Sequence, residues 1–225
     1  MYQFITGPLL WLSFGIFFIG LIVRIVHYIR GLNWQLDRVT YTVNVSYGIK
    51  GAFRSIFFWL FPFGTRSWRT KPGMTVLFFS LHIGLIFTPV FLLAHNIILK
   101  ERWGFSLPTI SGTLADILTI AVFVSILFLV LRRIALPEVR ILTTAYDYML
   151  LAITLAPFIT GFLAAQHVPS YSFWLIAHII SGEIMLIVIP FTKLSHIVLF
   201  FLSRAQLGMD YGIKRGGMKG KGLAW

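Results

Sequence analysis

The sequence predicts an all-α integral membrane protein with five transmembrane helices and one interfacial amphipathic helix between the first and second of them. The composition is the first reason: of 225 residues, 58% are hydrophobic and only 12% are charged, and the mean hydropathy is +0.86. A water-soluble domain carries about 25% charged residues. Five long apolar runs and the placement of the basic residues are the second and third reasons.

Each apolar run is long enough for a helix to cross the roughly 30 Å hydrocarbon core of a bilayer. The runs lie at about residues 7–29, 74–99, 111–131, 143–166 and 172–204. The interfacial segment is 45–63, where Lys50 and Arg54 stand one helical turn apart among Phe, Trp, Ile and Leu. That pattern is typical of a helix lying on a membrane surface. It predicts an anchor or, equally, a docking platform for a cytoplasmic subunit.

The basic residues predict the orientation of the spans. Of the 19 Lys and Arg residues, only Lys100 and Arg102 fall on the predicted outer side. Because basic residues accumulate in cytoplasmic loops, the N-terminus is expected outside and the C-terminus in the cytoplasm. Residues 1–204 form the predicted membrane domain, and 205–225 a basic cytoplasmic tail. We expect a multi-pass protein of the cytoplasmic (inner) membrane.

The net charge of +12 does not indicate a nucleic-acid partner, because the basic residues lie between apolar runs and not in one patch. Cysteine is absent. This excludes disulfides, thiolate-held iron–sulfur clusters and C-x-x-C-H attachment of haem on this chain. Any haem must therefore be held without a covalent bond, and any iron–sulfur cluster belongs to a partner.

The last apolar run contains His178 and His196, which are separated by 18 residues. On a straight helix this is five turns, so both rings would leave one face about 27 Å apart. Ionisable residues inside a membrane span are candidates for function, and imidazole is a common axial ligand of haem iron. The alternative is that the histidines bond polar groups of neighbouring helices.

The second span carries His82 and His95 and runs antiparallel to the fifth. Depth along the spans then pairs His82 with His196 near the inner side and His95 with His178 near the outer side. Binding a cofactor between facing helices is the usual way in which a helical bundle builds such a site. The predicted cofactors are two haem b groups.

The spacing in the second span is less regular, because 13 residues turn a straight helix by roughly 220°. A kink at Pro89 is expected to bring His82 and His95 toward one side. His167, at the outer end of the fourth span, is the reserve ligand for the outer site.

Several motifs from about Lys71 to Arg204 resemble those of the gamma subunit of respiratory nitrate reductase, a five-span dihaem cytochrome b. They are Lys71-Pro-Gly-Met74, His82-Ile-Gly84, Arg132-Arg133, Pro137-x-Val-Arg140 with Thr143-Thr144, and Pro190-Phe-x-Lys-Leu-x-His196, together with the 18-residue spacing from His178.

Two departures separate the chain from nitrate reductase members. Those members place the second histidine of the second span ten residues after the first, where this chain has Leu92. The first cytoplasmic loop is also longer here. Both features resemble relatives from the transmembrane redox complexes of sulfate-reducing organisms, whose cytochrome b works beside a heterodisulfide-reductase-like iron–sulfur subunit. The basic residue used near the outer haem has no clear match, and Lys100 or Arg102 is the candidate substitute.

The resemblance implies the membrane electron-transfer subunit of an oxidoreductase complex, without a complete active site of its own. Quinol, expected to be menaquinol, would be oxidised on the outer side, and electrons would reach a cytoplasmic iron–sulfur subunit that is nitrate reductase beta-like or heterodisulfide-reductase-like. An external multihaem cytochrome c is the alternative electron donor, to quinone or to the cytoplasmic subunit. A structural membrane anchor or a small transporter is the alternative from another class.

Further polar residues are candidates within this hypothesis. Those for the quinol and its protons are Asp116, Lys100, Arg102 and Glu183, and those for the haem propionates are Lys193 and Arg66. Asp116 has a structural alternative as the N-terminal cap of the third span, since aspartate is favoured at helix starts. Glu183 has one as a hydrogen-bond partner of a neighbouring helix.

Overall fold

A computed structural model describes residues 2–32 and 45–212, and within them the protein is all-helical. The helices are α1 (Tyr2–Arg30), α2 (Val45–Leu60), α3 (Arg66–Thr70), α4 (Pro72–Phe91), α5 (Leu93–Trp103), α6 (Gly112–Ala135), α7 (Pro137–Arg140), α8 (Ala145–Ala165), α9 (Tyr171–Val188) and α10 (His196–Gly212). Short 3₁₀ turns at Ile189–Phe191 and Lys193–Ser195 join α9 to α10.

Five helical segments of the described residues are long and apolar enough to cross a membrane. They are Tyr2–Arg30, Pro72–Phe91, Gly112–Ala135, Ala145–Ala165 and Tyr171–Phe191. The prediction of an all-α chain with five such helices is confirmed, and these helices indicate a multi-pass membrane protein. Its many exposed Leu, Ile and Phe side chains fit this, because lipid, and not water, surrounds them.

The chain divides into two compact units, and the first comprises Met1–Leu9 and Val76–Met185. Its core is a cluster of Leu81, Val122, Ile126 and Phe158 contributed by α4, α6 and α8. At Gly84 a Cβ atom would lie 2.5 Å from Val122 Cγ2. The absence of a side chain there lets α4 pack closely against α6, as small residues commonly do in membrane helices.

The second unit comprises Leu10–Thr75 and Leu186–Trp225, and α2 packs along α10 within it. The two helices cross at Gly51 and Gly208, where a Cβ on Gly51 would lie 2.4 Å from the Gly208 carbonyl oxygen. Beside the crossing, the Arg204 guanidinium lies 4.6 Å from the centroid of the Trp59 ring. Such a cation–π contact contributes roughly 0.5–2 kcal/mol.

Helix α2 has a small-residue face and an exposed apolar face. Gly48, Gly51 and Ser55 are buried, whereas the aromatic side of the helix is open, with Phe53 71% and Phe57 55% exposed. This is the helix that the sequence predicts at 45–63. Its amphipathic character is present, and its location in the membrane interface remains a prediction.

Two predicted spans contain breaks. The second span stops at Phe91, and Leu92 is extended (φ −66°, ψ 134°) before α5 begins. In the fifth, Thr192 is extended (φ −124°, ψ −176°) between the two 3₁₀ turns. The assumption of one unbroken helix from His178 to His196 is therefore wrong, because Pro190 and Thr192 interrupt it. The face-sharing calculation based on that helix no longer applies.

Helix α10 continues through Arg204 to Gly212, so the first residues of the predicted tail are helical. The basic residues predicted to make this tail cationic, Lys214, Arg215, Lys219 and Lys221, lie outside the described residues.

Candidate functional site

The break at Leu92 determines where His95 points. Pro89 has no N–H, and the turn that follows it leaves carbonyl groups without the usual helical donors. The His95 Nδ1–H donates to the Pro89 carbonyl oxygen at 2.8 Å. The break predicted at Pro89 thus occurs three residues later, and it puts His95 on the short helix α5.

Asn96 supplies hydrogen-bond donors to two further carbonyl groups at the break. Its side chain is 2% exposed, and its Nδ2 donates to the carbonyl oxygens of Val90 and Leu92 at 2.9 and 3.1 Å. Its Oδ1 accepts from the backbone N–H of Leu107 at 2.8 Å. The side-chain amide of Asn96 therefore connects the backbone at the helix break to the loop that follows α5. This fixes the neighbouring His95 as well.

His178 lies against helix α8. Its Nδ1–H donates to the Pro157 carbonyl oxygen at 2.8 Å. Gly161, one turn further along α8, makes this approach possible, because a Cβ there would lie 2.7 Å from Nδ1 and 2.8 Å from Cε1 of the imidazole. Thr160 adds a second link between the helices, with its Oγ1 3.2 Å from Ser181 Oγ.

The two rings meet inside the first unit. The His95 and His178 centroids are 5.8 Å apart, and the ring planes are within 6° of parallel. Trans imidazoles on one metal ion, with bonds of about 2 Å, have centroids roughly 6.3 Å apart. The observed separation is about 0.5 Å shorter than this estimate. It also lies within the range of ordinary aromatic pairs, so the hydrogen bonds of the two rings are the more informative feature.

The hydrogen bonds to the Pro89 and Pro157 carbonyl oxygens determine the tautomer of each ring. A carbonyl oxygen only accepts hydrogen bonds, so Nδ1 is the donor in both histidines and Nε2 of the neutral ring carries the lone pair. Metal-ligating histidines normally have this arrangement, with the second nitrogen donated to a carbonyl or carboxylate. Both His95 and His178 therefore have the tautomer that a metal-ligating histidine needs, with Nε2 as the atom that could bind a metal.

His82 and His196 show the same local arrangement. His82 Nδ1 donates to the Phe78 carbonyl oxygen at 2.7 Å, and His196 Nδ1 donates to that of Lys193 at 2.9 Å. His82 belongs to the first compact unit and His196 to the second. Their pairing remains a prediction. Among residues 2–32 and 45–212, no group of three or more His, Asp and Glu side chains comes together as a metal site.

Two of the three candidates on the predicted outer side, Asp116 and Arg102, form hydrogen bonds within the chain. Asp116 Oδ2 accepts from Gln166 Nε2 at 3.2 Å, and Arg102 donates to the Thr6 carbonyl oxygen at 3.1 Å. Asp116 is not the cap of α6: Ser111 is, accepting from the Leu114 N–H at 3.3 Å. Lys100 is exposed.

The remaining candidates are scattered. His167 lies on an exposed turn with a φ of 50°, its ring 5.5 Å from that of Tyr171. Lys193 and Arg66 are exposed residues of the second unit. Glu183 is different, because it is only 3% exposed.

Comparison with known proteins shows a full-length relative. A protein from Nitratidesulfovibrio vulgaris is 58% identical over 226 residues, which cover 100% of this chain and 100% of that protein. The chain belongs to the same family as that protein. No family model and no solved structure matches the chain.

Sequence reasoning identified the two histidines but missed the residues that orient them. Gly161, Asn96 and Pro157 have no role in the site predicted from the sequence. The spacing Pro157-x-x-x-Gly161 offered a signal: a proline carbonyl and a residue without a side chain stand one turn apart on a membrane helix. Such a spacing admits a side chain from a neighbouring helix close to the backbone.

Proposed function

We propose that this protein is a dihaem cytochrome b, the membrane subunit of a respiratory redox complex that passes electrons between the quinone pool and a cytoplasmic iron–sulfur partner. The observation that supports it most is the pair His95 and His178. Their rings are parallel, and each donates Nδ1–H to the carbonyl oxygen of a proline. Neither the distance nor the tautomers alone would be as specific as their combination.

The residues of the outer site have separable roles. His95 and His178 would hold the iron through Nε2, and the carbonyl groups of Pro89 and Pro157 orient the two rings. A hydrogen bond donated from Nδ1 makes the imidazole more basic, which favours the more highly charged form of a bound metal. Gly161 leaves room for the ring. When bound, haem supplies the one-electron iron couple that this chain otherwise lacks.

The rest of the proposal follows the sequence. His82 and His196 would bind the second haem, with Lys193 and Arg66 as candidates for its propionates. Menaquinol would give up two electrons and two protons, with Asp116, Lys100, Arg102 and Glu183 as the candidate contacts. The chain would lie in the inner membrane, with the iron–sulfur partner on the cytoplasmic side.

The haem content of single variants tests the proposal. The purified wild-type protein should contain two b-type haems per chain by reduced-minus-oxidised and pyridine haemochrome spectra. His95→Ala and His178→Ala should each leave one haem, because a low-spin site needs both axial ligands. His27→Ala is the matched control, since that side chain is exposed and belongs to no predicted pair.

Two results would contradict the proposal. The first is a wild-type protein without haem, which would favour a structural anchor or a transporter. The second is full haem content in both the His95 and the His178 variant. If His167→Ala removed a haem and His95→Ala did not, the reserve ligand would replace His95.

A further inference from the structure

A groove runs along helix α1 in the second compact unit. Its volume is about 500 Å³, and it is lined by eight residues of α1 between Trp11 and Arg24 and by Pro190 and Phe191 of the 3₁₀ turn. All of these residues belong to the second unit. The lining positions on α1 recur every four residues, so they form one continuous strip along the helix.

Two glycines shape this groove. At Gly20 a Cβ atom would lie 2.6 Å from Pro190 Cβ, so the turn packs directly on the backbone of α1. At Gly15 a Cβ would meet nothing within 4 Å, so the groove is open at that level. Ile19 and Phe191, which also line it, are 65% and 69% exposed. The open part of the groove is therefore suited to an apolar occupant.

Arg24 is the only charged residue among those that line the groove, and it lies at one end of the strip on α1. Its Nη2 donates to Ser195 Oγ at 3.3 Å, and that hydroxyl donates to the Thr192 carbonyl oxygen at 2.8 Å. Because Ser195 is 1% exposed, a buried group holds the guanidinium in place. The bond to Ser195 uses one of the five N–H donors of Arg24. The side chain is exposed, so the other donors can reach an anion such as a phosphate group, which guanidinium binds in a bidentate manner.

The length and the charge of the groove together indicate the occupant. From Trp11 to Arg24 helix α1 rises by about 20 Å. The acyl chains of one leaflet cover about 15 Å, half of the hydrocarbon core. One acyl chain can therefore lie along the groove while its phosphate reaches Arg24. A helix from a second copy or from a partner would cover the apolar part equally well, but its apolar surface would not supply the anion that complements Arg24.

We propose that the groove on α1 binds one anionic phospholipid of the phosphatidylglycerol type, with the phosphate at Arg24 and one acyl chain over Gly15. The inference goes beyond electron transfer and does not depend on haem. Because the lipid would contact both α1 and the turn at Pro190 and Phe191, its binding should also stabilise the folded protein.

Lipid titration of the purified, delipidated full-length protein tests the inference, with bound lipid counted by native mass spectrometry. The probe is dioleoylphosphatidylglycerol. Arg24→Gln removes the charge and should weaken binding about tenfold. Gly15→Leu fills the groove without touching Arg24 and should also weaken binding about tenfold. The matched controls are Arg30→Gln, an exposed arginine of α1 outside the groove, and Gly73→Leu, where a Cβ meets nothing within 4 Å. Both should bind like wild type.

Three comparisons can overturn the inference. Equal affinity of the Arg24→Gln and Arg30→Gln variants, or unchanged binding by Gly15→Leu, would exclude the groove as the site. Equal binding of dioleoylphosphatidylcholine, which has the same chains and no net charge, would show that Arg24 does not select the headgroup. Competition by inorganic phosphate at equal concentration would identify a site for a free anion instead. Arg24→Lys keeps the cation and should bind within about threefold of wild type. A loss equal to that of Arg24→Gln would assign Arg24 to the packing of the turn and not to a lipid.

Discussion

Replacing Gly161 with alanine should displace the His178 imidazole from its position on α8. The new Cβ would lie 2.7 Å from Nδ1, 2.8 Å from Cε1 and 3.4 Å from Cγ. Ordinary contacts between such atoms are about 3.5 Å or longer, so the ring must move by at least about 0.7 Å. The clash is between the new Cβ on the α8 backbone and the rigid imidazole ring of His178. Neither group has a flexible end that could rotate away.

The cost can be estimated from two effects. Forced repacking costs typically 1–3 kcal/mol, and the hydrogen bond from His178 to the Pro157 carbonyl contributes about 1 kcal/mol that the moved ring would lose. Together the two effects cost roughly 2–4 kcal/mol. A ligand that needs both rings in place would therefore bind about 30- to 1,000-fold more weakly. Alanine is a better helix former than glycine by up to about 1 kcal/mol, so global stability should fall by less than ligand binding does.

Two glycine variants serve as controls. Gly182→Ala adds a Cβ that meets nothing within 4 Å and should leave haem content unchanged. Gly84→Ala puts a Cβ 2.5 Å from Val122 Cγ2 and should lower the thermal unfolding temperature without touching either ring. Gly161→Ala should lose the outer haem or shift its midpoint potential in a redox titration. Retention of both haems with wild-type potentials would refute the positioning role.

Other parts of the fold allow further tests. Asn96→Ala should destabilise the protein by roughly 2–4 kcal/mol, because buried acceptors at the break lose their donor, and chemical denaturation would measure this; an unchanged midpoint would contradict the account of the break. Gly51→Leu should separate α2 from α10, since even a Cβ there lies 2.4 Å from the Gly208 oxygen. Faster proteolysis within α2 would report this, with Gly73→Ala, which meets nothing within 4 Å, as the control; equal cleavage rates would contradict it.

The sequence predicted the spans well because lipid imposes a strong requirement. Each crossing needs about 20 apolar residues with all backbone groups bonded within the helix. The predicted runs 111–131 and 143–166 accordingly match Gly112–Ala135 and Ala145–Ala165 closely. The interfacial run 45–63 likewise corresponds to the helix Val45–Leu60.

The breaks were harder to predict because they depend on distant partners. Pro89 indicates that the helix is interrupted nearby. The position of the break at Leu92 depends on Asn96 and on Ile110, whose N–H donates to the Phe91 carbonyl oxygen at 2.9 Å. Thr192 was overlooked within an apolar run whose hydropathy continues past it. Local composition does not reveal such contacts, and a straight-helix calculation between His178 and His196 therefore misleads.

The histidine pair illustrates the same limit at the site. Depth in the membrane was enough to match His95 with His178 from the sequence. The tautomers were not accessible, since they depend on which carbonyl groups lie nearby in the folded chain. Gly161 was missed because the reason for a glycine lies on another helix.

The most direct test of the account is the axial ligation of the purified wild-type protein, measured by low-temperature electron paramagnetic resonance together with near-infrared magnetic circular dichroism. Two low-spin haems per chain, both with bis-histidine signatures, are expected. A protein that carries no haem, or whose haem iron is bound by ligands other than two imidazoles, would contradict it.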